Sequence, residues 1–178
     1  MFFINGNLTV RQLEKKDNYL LAKWLSDPTV LEFYEGRDNH FDLEKVNNVF
    51  YKSERGQVRC IIEYEGCDIG YIQFYILDEE SKEAYGYSQK ETIYGTDQFI
   101  GEPDYWNKGI GTLLVSSMVQ FLIEQKKADR VVMDPQVRNE RAIKCYEKCG
   151  FKKVKILLKQ ELHEGVFQDC WLIEYHNN

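Results

Sequence analysis

The residues with the clearest chemistry lie in a short turn, Asn107-Lys108-Gly109-Ile110-Gly111-Thr112, between an apolar run and a long amphipathic segment. The segment predicts a helix beginning near Gly109, because its apolar residues recur at three- and four-residue spacing. The first backbone N–H groups of a helix lack partners within it and lie at the positive end of its dipole. Two glycines and the charge of Lys108 would let a phosphate approach these groups. The turn predicts an anion site, and taken alone it also fits an ordinary helix start.

Two common phosphate-binding motifs are excluded. The chain contains no Gly-Lys pair followed by Ser or Thr, which excludes a Walker loop. Leu114 stands where the dinucleotide-binding motif needs a third glycine. What remains is a G-x-G turn between a strand and a helix.

A carboxylate within an apolar strand is the second chemical feature. Asp97 is flanked by Ile93, Phe99 and Ile100. A charge in such surroundings is unfavourable unless it has a partner or a function. Asp97 is therefore either a solvated aspartate at a strand edge or a group that binds a cation or accepts a proton.

Composition restricts the class of protein. The 178 residues suit a single domain, 1–178, large enough to bury one core. The net charge of −6 and the pI near 5.2 argue against a nucleic-acid partner and favour a cationic one. No apolar run reaches the length of a membrane span, and the first six residues lack the features of a signal peptide. We expect a cytoplasmic protein without a membrane partner.

The cysteines and histidines do not indicate a metal site. The five cysteines are odd in number and include no C-x-x-C pair, and the three histidines show no ligand spacing. We interpret Cys60, Cys67, Cys145, Cys149 and Cys170 as small apolar core residues.

The hydrophobic pattern predicts alternating strands and helices. Strands are predicted at 8–13, 58–64, 68–77, near 93–100, and at 130–133, with two more between 152 and 175. Helices are predicted after Asp17, after Asp42, from near Gly109 to Gln125, and over 140–149, while residues 78–91 are predicted to be a loop.

This order of elements and two motifs resemble the GCN5-related N-acetyltransferase (GNAT) family. The G-x-G turn is similar to the family's pyrophosphate-binding turn, except that Trp106 occupies a position where the family has Arg or Gln. Residues 139–151 resemble the family's Asn, Ala, Tyr, Gly-Phe signature, with Asn139, Ala142 and Tyr146 at the matching positions. The resemblance implies an α/β (α+β) fold with a mixed, mostly antiparallel central sheet, splayed at the cofactor site, and helices on both faces.

The resemblance also implies acetyl-CoA as cosubstrate and no metal. Asn139 would hold the pantetheine arm, and Tyr146 would protonate the departing sulfur. Asp97 would be the general base, acting directly or through water, and a backbone N–H near Phe99 would polarise the thioester carbonyl. The implied cofactor-binding residues are Phe99, Ile100, Trp106, Asn107, Lys108, Gly109, Ile110, Gly111, Thr112, Asn139, Ala142 and Tyr146.

Three stretches, 31–34, 94–103 and 161–165, are similar to the aminoglycoside 6'-N-acetyltransferases, including the acetyltransferase half of the bifunctional resistance enzyme. They imply acetylation of the 6'-amine of antibiotics such as kanamycin, which confers resistance. Because an aminoglycoside carries several ammonium groups, carboxylates and aromatic rings are expected around it, and Glu164 is a further candidate. The implied acceptor residues are Glu32, Phe33, Tyr34, Tyr51, Asp97, Asp134 and Glu161.

Two alternatives remain open. The acceptor could be a protein N-terminus or a polyamine, with the same fold and chemistry. The chain could also be an inactive acyl-CoA-binding sensor, although such a sensor would need neither Asp97 nor Tyr146. The sequence leaves the oligomeric state open, with a monomer as the simplest expectation.

Overall fold

The computed structural model describes residues 1–178, which form eight β-strands and six α-helices. The strands are β1 Phe3–Asn5, β2 Leu8–Gln12, β3 Gln57–Tyr64, β4 Cys67–Ile76, β5 Ile93–Ile100, β6 Arg130–Met133, β7 Lys152–His163 and β8 Val166–His176. The helices are α1 Asn18–Trp24, α2 Pro28–Leu31, α3 Leu43–Phe50, α4 Glu79–Tyr85, α5 Ile110–Lys126 and α6 Glu140–Lys148. No helix is long and apolar enough to cross a membrane.

All eight strands join one sheet in the order β1-β2-β3-β4-β5-β6-β8-β7. Strands β5 and β6 pair in parallel, with Ile93 opposite Arg130 and Gly95 opposite Val132. Strand β6 pairs antiparallel with β8. The expected mixed, mostly antiparallel sheet is confirmed. The register of the parallel pair ends at Gly95, while β5 continues to Ile100, as expected for a strand that separates from its neighbour.

The chain divides into two compact units. The first comprises Met1–Gln73, Gln98–Ile110 and Leu162–Phe167, and the second comprises Phe74–Asp97, Gly111–Glu161 and Gln168–Asn178. The prediction of a single domain over 1–178 therefore stays a prediction.

Each unit has its own apolar packing. In the first unit, aromatic and aliphatic side chains from α1, α3 and β4, among them Trp24, Phe50 and Tyr71, form a buried cluster. In the second unit, Leu77 and Val132 are central to a smaller cluster, against which partly buried tyrosines pack. Removing such side chains from water supplies the main favourable term for folding.

Helix α4 lies where a loop was predicted, and that prediction is wrong. Asp78 caps the helix, since its Oδ1 accepts a hydrogen bond of 2.8 Å from the backbone N–H of Ser81. Gly86 ends it in the left-handed conformation, with φ of 82°. The helix buries no residue, so no apolar stripe marked it in the sequence. Its capping residues were the available signal.

Two smaller features also differ from the predictions. A short first strand, β1, pairs with β2 and was not predicted. Three of the five cysteines are not buried core residues: Cys67 is exposed, and Cys145 and Cys149 are partly exposed. The interpretation as core residues holds for Cys60 and Cys170 alone.

A glycine after β5 lets a helix side chain pack against the backbone. A Cβ atom at Gly101 would overlap the indole ring of Trp24. The Nε1–H of this indole donates a 3.0 Å hydrogen bond to Glu102. Trp24 is fully buried, so it has no room to withdraw.

We expect Gly101→Ala to destabilise the protein by about 1–3 kcal/mol, the usual effect of overfilling a packed core. Urea unfolding followed by tryptophan fluorescence would measure the change. Ser53→Ala, at an exposed position, is the control and should change stability by less than about 0.5 kcal/mol. An unchanged unfolding midpoint for Gly101→Ala would contradict the packing described.

Candidate active site

The turn before α5 has an open backbone. Asn107 and Gly109 both adopt left-handed conformations, with φ of 59° and 79°. No atom lies within 4 Å of the position that a Cβ of Gly109 would occupy. Asn107, Lys108 and Gly109 are exposed, and α5 begins at Ile110. The turn that leads into this 17-residue helix is thus open at Gly109, as an anion site at a helix start requires.

Trp106 stabilises this turn. Its Nε1–H donates a 2.9 Å hydrogen bond to the backbone carbonyl of Ile100, the last residue of β5. The indole therefore ties the end of the strand to the turn. At the position where the GNAT pattern has Arg or Gln, this chain has a residue that shapes the turn.

Helix α6 carries the three predicted residues Asn139, Ala142 and Tyr146, and each is partly exposed. Asn139 is the N-cap of the helix, but its side chain makes no capping hydrogen bond. The ring of Tyr146 lies 6.3 Å from that of Phe151, centroid to centroid. The backbone carbonyl of Tyr146 accepts a 3.1 Å hydrogen bond from the N–H of Phe151. The Gly-Phe pair thus closes the helix beside Tyr146.

Asp97 and Asp134 lie just beyond the parallel ladder between β5 and β6. The last paired residues are Gly95 and Val132, and each aspartate follows its own paired residue by two positions. The charge of Asp97 acts on the carboxyl group of Asp134, so the two groups are close enough to interact.

This arrangement changes the acidity of Asp134. Burial raises the pKa of its carboxyl group to about 7, and the nearby charges of Asp97 and Glu161 act in the same direction. A hydrogen bond from Gln160 opposes the change. Asp134 therefore binds a proton near neutral pH. A bound cation would favour its full ionisation.

Lys159 in β7 has a left-handed backbone, with φ of 49°, and its N–H donates a 2.9 Å hydrogen bond to Oδ1 of Asp169. The two residues that follow it, Gln160 and Glu161, both interact with Asp134.

Two tyrosines, Tyr75 and Tyr85, interact with the carboxylates of Asp97 and Asp134. A Cβ at Gly95 would overlap the ring of Tyr75, so the glycine lets this ring lie against β5. Burial, followed by the charges of Asp97 and Asp134, raises the pKa of the Tyr75 phenol. Burial and the same two charges raise the pKa of Tyr85 to about 12. Both phenols stay protonated at neutral pH.

The tyrosines and Asp134 line a cavity of about 40 Å³. The other lining residues are Leu77, Ser81, Val132, Met133 and Leu172. A cavity of this size holds an ammonium group or a water molecule but not a sugar ring. Aromatic faces beside a carboxylate are typical of cation sites. Neither Tyr75 nor Tyr85 was predicted from the sequence to be a site residue. Tyr85 belongs to α4, which was predicted to be a loop, and no sequence pattern distinguishes Tyr75 from other aromatic strand residues.

The predicted acceptor residues of the first unit are aromatic and partly exposed. The Tyr34 ring lies 4.5 Å from that of Phe99, which also stacks on Tyr71 at 5.6 Å. Phe33 is 41% exposed. Tyr51 has structural contacts, because its hydroxyl donates a 2.7 Å hydrogen bond to the carbonyl of Glu14. Glu32 is the C-cap residue of α2.

Glu164 has a strong partner that the sequence did not reveal. Nε and Nη2 of Arg37 donate hydrogen bonds of 2.6 and 3.0 Å to its two carboxylate oxygens. These hydrogen bonds lower the pKa of Glu164. Arg37 compensates part of the charge of Glu164, and the expectation that Glu164 contacts a cationic substrate stays a prediction. The residues include no group of three or more His, Cys, Asp or Glu side chains placed to hold a metal ion.

Known proteins match the chain over most of its length. A family model described as "Acetyltransferase (GNAT) domain" matches residues 14–157. Aminoglycoside N(6')-acetyltransferase type 1 of Klebsiella pneumoniae is 30% identical over 155 residues, covering 84% of this chain and 76% of that enzyme.

Two solved structures have similar folds. The aminoglycoside acetyltransferase AAC(6')-Ib, in complex with coenzyme A, is 25% identical with a TM-score of 0.73, and the match covers 96% of this chain and 95% of that one. Spermidine N-acetyltransferase of Vibrio cholerae, in complex with coenzyme A and spermine, has a TM-score of 0.79 at 16% identity, over 97% and 96% of the two chains. The second likeness, at this identity, is one of fold alone.

The raised pKa of Asp134 gives a pH dependence of stability. A carboxyl group whose pKa is higher in the folded state stabilises at low pH, and this contribution is lost as pH rises through the folded value, here about 7. Asp134→Asn keeps the shape without the charge. We expect little change in stability at pH 4.5 and a gain of about 2 kcal/mol at pH 8, or roughly 4–8 °C in Tm.

Differential scanning calorimetry at the two pH values would measure this gain. Asp104→Asn, at an exposed aspartate of the turn before α5, is the control and should show no comparable pH dependence. A gain from Asp134→Asn that is equal at both pH values would be inconsistent with the carboxylate cluster.

Proposed function

Because this chain belongs to the GNAT family of acetyltransferases, we propose that it transfers the acetyl group of acetyl-CoA to the 6'-amine of aminoglycoside antibiotics and so confers resistance. The observation that supports the acceptor class is Asp134, whose carboxyl group is affected by the charges of Asp97 and Glu161 and which lines a cavity with two tyrosines. Carboxylates that repel one another, one of which binds a proton in the free protein, favour a ligand with several positive charges. We propose that residues 1–178 act as one catalytic domain, in the cytoplasm and as a monomer, without nucleic-acid or membrane partners.

The cosubstrate is acetyl-CoA, which supplies an activated acetyl group as a thioester. The residues at the start of α5 fit its pyrophosphate, because the backbone there is open and Gly109 has no neighbour within 4 Å of its missing Cβ. We propose that residues 106–112 bind the pyrophosphate and that Asn139 and Ala142 line the path of the pantetheine arm. Phe99 and Ile100 would supply backbone groups near the thioester.

The proton transfers are assigned to two side chains. Asp97 accepts the proton that the acceptor amine must lose, directly or through a water molecule. Tyr146 donates a proton to the sulfur as it leaves. A backbone N–H near Phe99 donates to the thioester oxygen as negative charge develops on it. Asp134, Glu161, Tyr75 and Tyr85 bind the remaining ammonium groups.

The other acceptor residues would contact the sugar rings. Phe33, Tyr34 and Tyr51 offer aromatic faces, and Glu32 offers a further carboxylate. Tyr34 is the best supported of these, because its ring packs on Phe99 at the predicted thioester position. Tyr51 is the least supported, because its hydroxyl already has a backbone partner.

A polyamine is the second candidate acceptor, because the carboxylates around Asp134 would attract its positive charges as well. Purified protein with acetyl-CoA and either kanamycin, spermidine or a peptide with a free N-terminus would separate the candidates, with thiol release as readout. We expect the highest kcat/KM for kanamycin and an acetyl group on its 6'-nitrogen in the NMR spectrum of the product. A higher kcat/KM for spermidine than for kanamycin would indicate that the acceptor is a polyamine.

The proposed position of the pyrophosphate can be tested by placing a larger side chain in the turn before α5. Gly109→Val would place a side chain in the path of the pyrophosphate, so we expect acetyl-CoA affinity to fall at least about tenfold, or 1.4 kcal/mol, in a calorimetric titration. Gly66→Val is a matched control, since Gly66 has the same φ of 79° and is equally open in the turn before β4. Equal affinities for the two variants would refute the placement of the pyrophosphate.

The two proton-transfer roles predict different pH behaviour. Asp97→Asn should lower turnover by roughly 10²–10⁴-fold near neutral pH, and the loss should shrink at high pH, where the acceptor amine is already deprotonated. Tyr146→Phe should also lower turnover, but high pH should not restore it, because its role concerns the sulfur.

Steady-state rates between pH 6 and 9.5, with aminoglycoside affinity measured directly, would check both variants. We expect Tyr146→Phe to keep nearly normal affinity for the acceptor. Normal turnover of Asp97→Asn at pH 7 would remove the base assignment, and normal turnover of Tyr146→Phe would remove the acid assignment.

A further inference from the structure

Two cysteines of α6 contact the first turn of α5. Cys145 and Cys149 are one helical turn apart, so their side chains share a face of α6. Sγ of Cys145 lies 3.4 Å from Oγ1 of Thr112, and Sγ of Cys149 lies 3.5 Å from the backbone carbonyl oxygen of Thr112. Both thiols therefore converge on one residue.

The surroundings favour a thiolate on Cys145. A hydrogen bond from Cys149 lowers the pKa of Cys145, and the Thr112 hydroxyl and the charge of Lys148 act in the same direction. The same hydrogen bond, together with burial, raises the pKa of Cys149. The directions of these interactions make Cys145 the more acidic of the two thiols. Thiolates react and thiols do not, so this difference decides which sulfur is reactive.

The other cysteines lack this combination. Burial raises the pKa of Cys60 and of Cys170 to about 12. Cys67 is exposed. Cys145 and Cys149 are partly exposed, so a small reagent in solution can reach them.

The position of Cys145 links its reactivity to the cofactor turn. A Cβ added at Gly111 would lie 3.8 Å from Sγ of Cys145, so the sulfur packs against the second residue of α5. A group attached to this sulfur must take space beside Gly111 and Thr112. Both residues belong to the proposed pyrophosphate site.

We propose that Cys145, with Cys149 as its hydrogen-bonding partner, is a thiol-modification site at which low-molecular-weight disulfides react and thereby exclude acetyl-CoA from the start of α5. The Cys145 thiolate attacks one sulfur of the disulfide, and a new S–S bond forms as the original S–S bond breaks. The other half leaves as a thiolate and takes a proton from water. A second thiol in solution reverses the exchange. The effect on the cofactor rests on the proposed position of the pyrophosphate.

The first experiment measures thiol reactivity in a Cys67→Ser protein, which lacks the exposed cysteine. With 5,5'-dithiobis(2-nitrobenzoate) at pH 6.5, we expect one rapidly reacting sulfur, located on Cys145 by mass spectrometry. It should be absent after Cys145→Ser and at least about tenfold slower after Cys149→Ser, because the thiolate fraction falls as the pKa rises. Saturating acetyl-CoA should slow the wild-type reaction by a similar factor. A reaction unaffected by Cys145→Ser or by acetyl-CoA would overturn the proposal.

The second experiment measures binding. After treatment with oxidised glutathione, acetyl-CoA affinity should fall at least about tenfold, or 1.4 kcal/mol, and dithiothreitol should restore it. Cys145→Ser, or Cys145→Ala if the serine variant melts at a lower temperature, should bind acetyl-CoA normally and be insensitive to the treatment. Full affinity of the glutathionylated protein would refute the inference. Neither readout requires an acceptor, so a protein that fails to acetylate kanamycin can still pass both tests.

Discussion

Repulsion between Asp97 and Asp134 is the constraint on which the proposed acceptor site depends. Both aspartates follow the last paired residues of the parallel strands β5 and β6 by two positions. Parallel pairing brings the carboxyl ends of the two strands to one edge of the sheet. The charge of Asp97 raises the pKa of Asp134, so the free protein holds a proton there, while Gln160 hydrogen-bonds to the carboxyl group. In the proposed function, a multiply charged amine would stabilise both carboxylates, because it supplies positive charge.

The proposed cofactor turn depends on backbone geometry more than on side-chain charge. Its left-handed residues, Asn107 and Gly109, direct the chain into α5 with the first N–H groups open. Trp106 fixes the turn from the side of the strand through a single hydrogen bond to Ile100. A backbone site of this kind tolerates a change from a polar residue to an indole, because the donors that bind phosphate are common to all residues.

The features of the fold that local sequence patterns encode were predicted correctly. The apolar spacing of α5, the glycines before it and the Asn-Ala-Tyr spacing of α6 predicted the elements and the family correctly. Helix α4 was missed because it buries nothing, and Tyr75 and Tyr85 were missed with the cavity that they line. The pairing of Glu164 with Arg37 joins residues 127 positions apart, and no local pattern reports such a contact. The same holds for the two cysteines of α6, whose partner, Thr112, is 33 residues from Cys145.

Helix α4 also has a consequence for how the activity could diversify. It contributes Ser81 and Tyr85 to the cavity beside Asp134, and its ends are set by the cap at Asp78 and the stop at Gly86. Tyr85 packs against the buried cluster of the second unit, but no residue of the helix is fully buried. Substitutions at the helix positions other than Tyr85 should therefore change stability little. The shape of the cavity could change there without compensating mutations elsewhere in the protein.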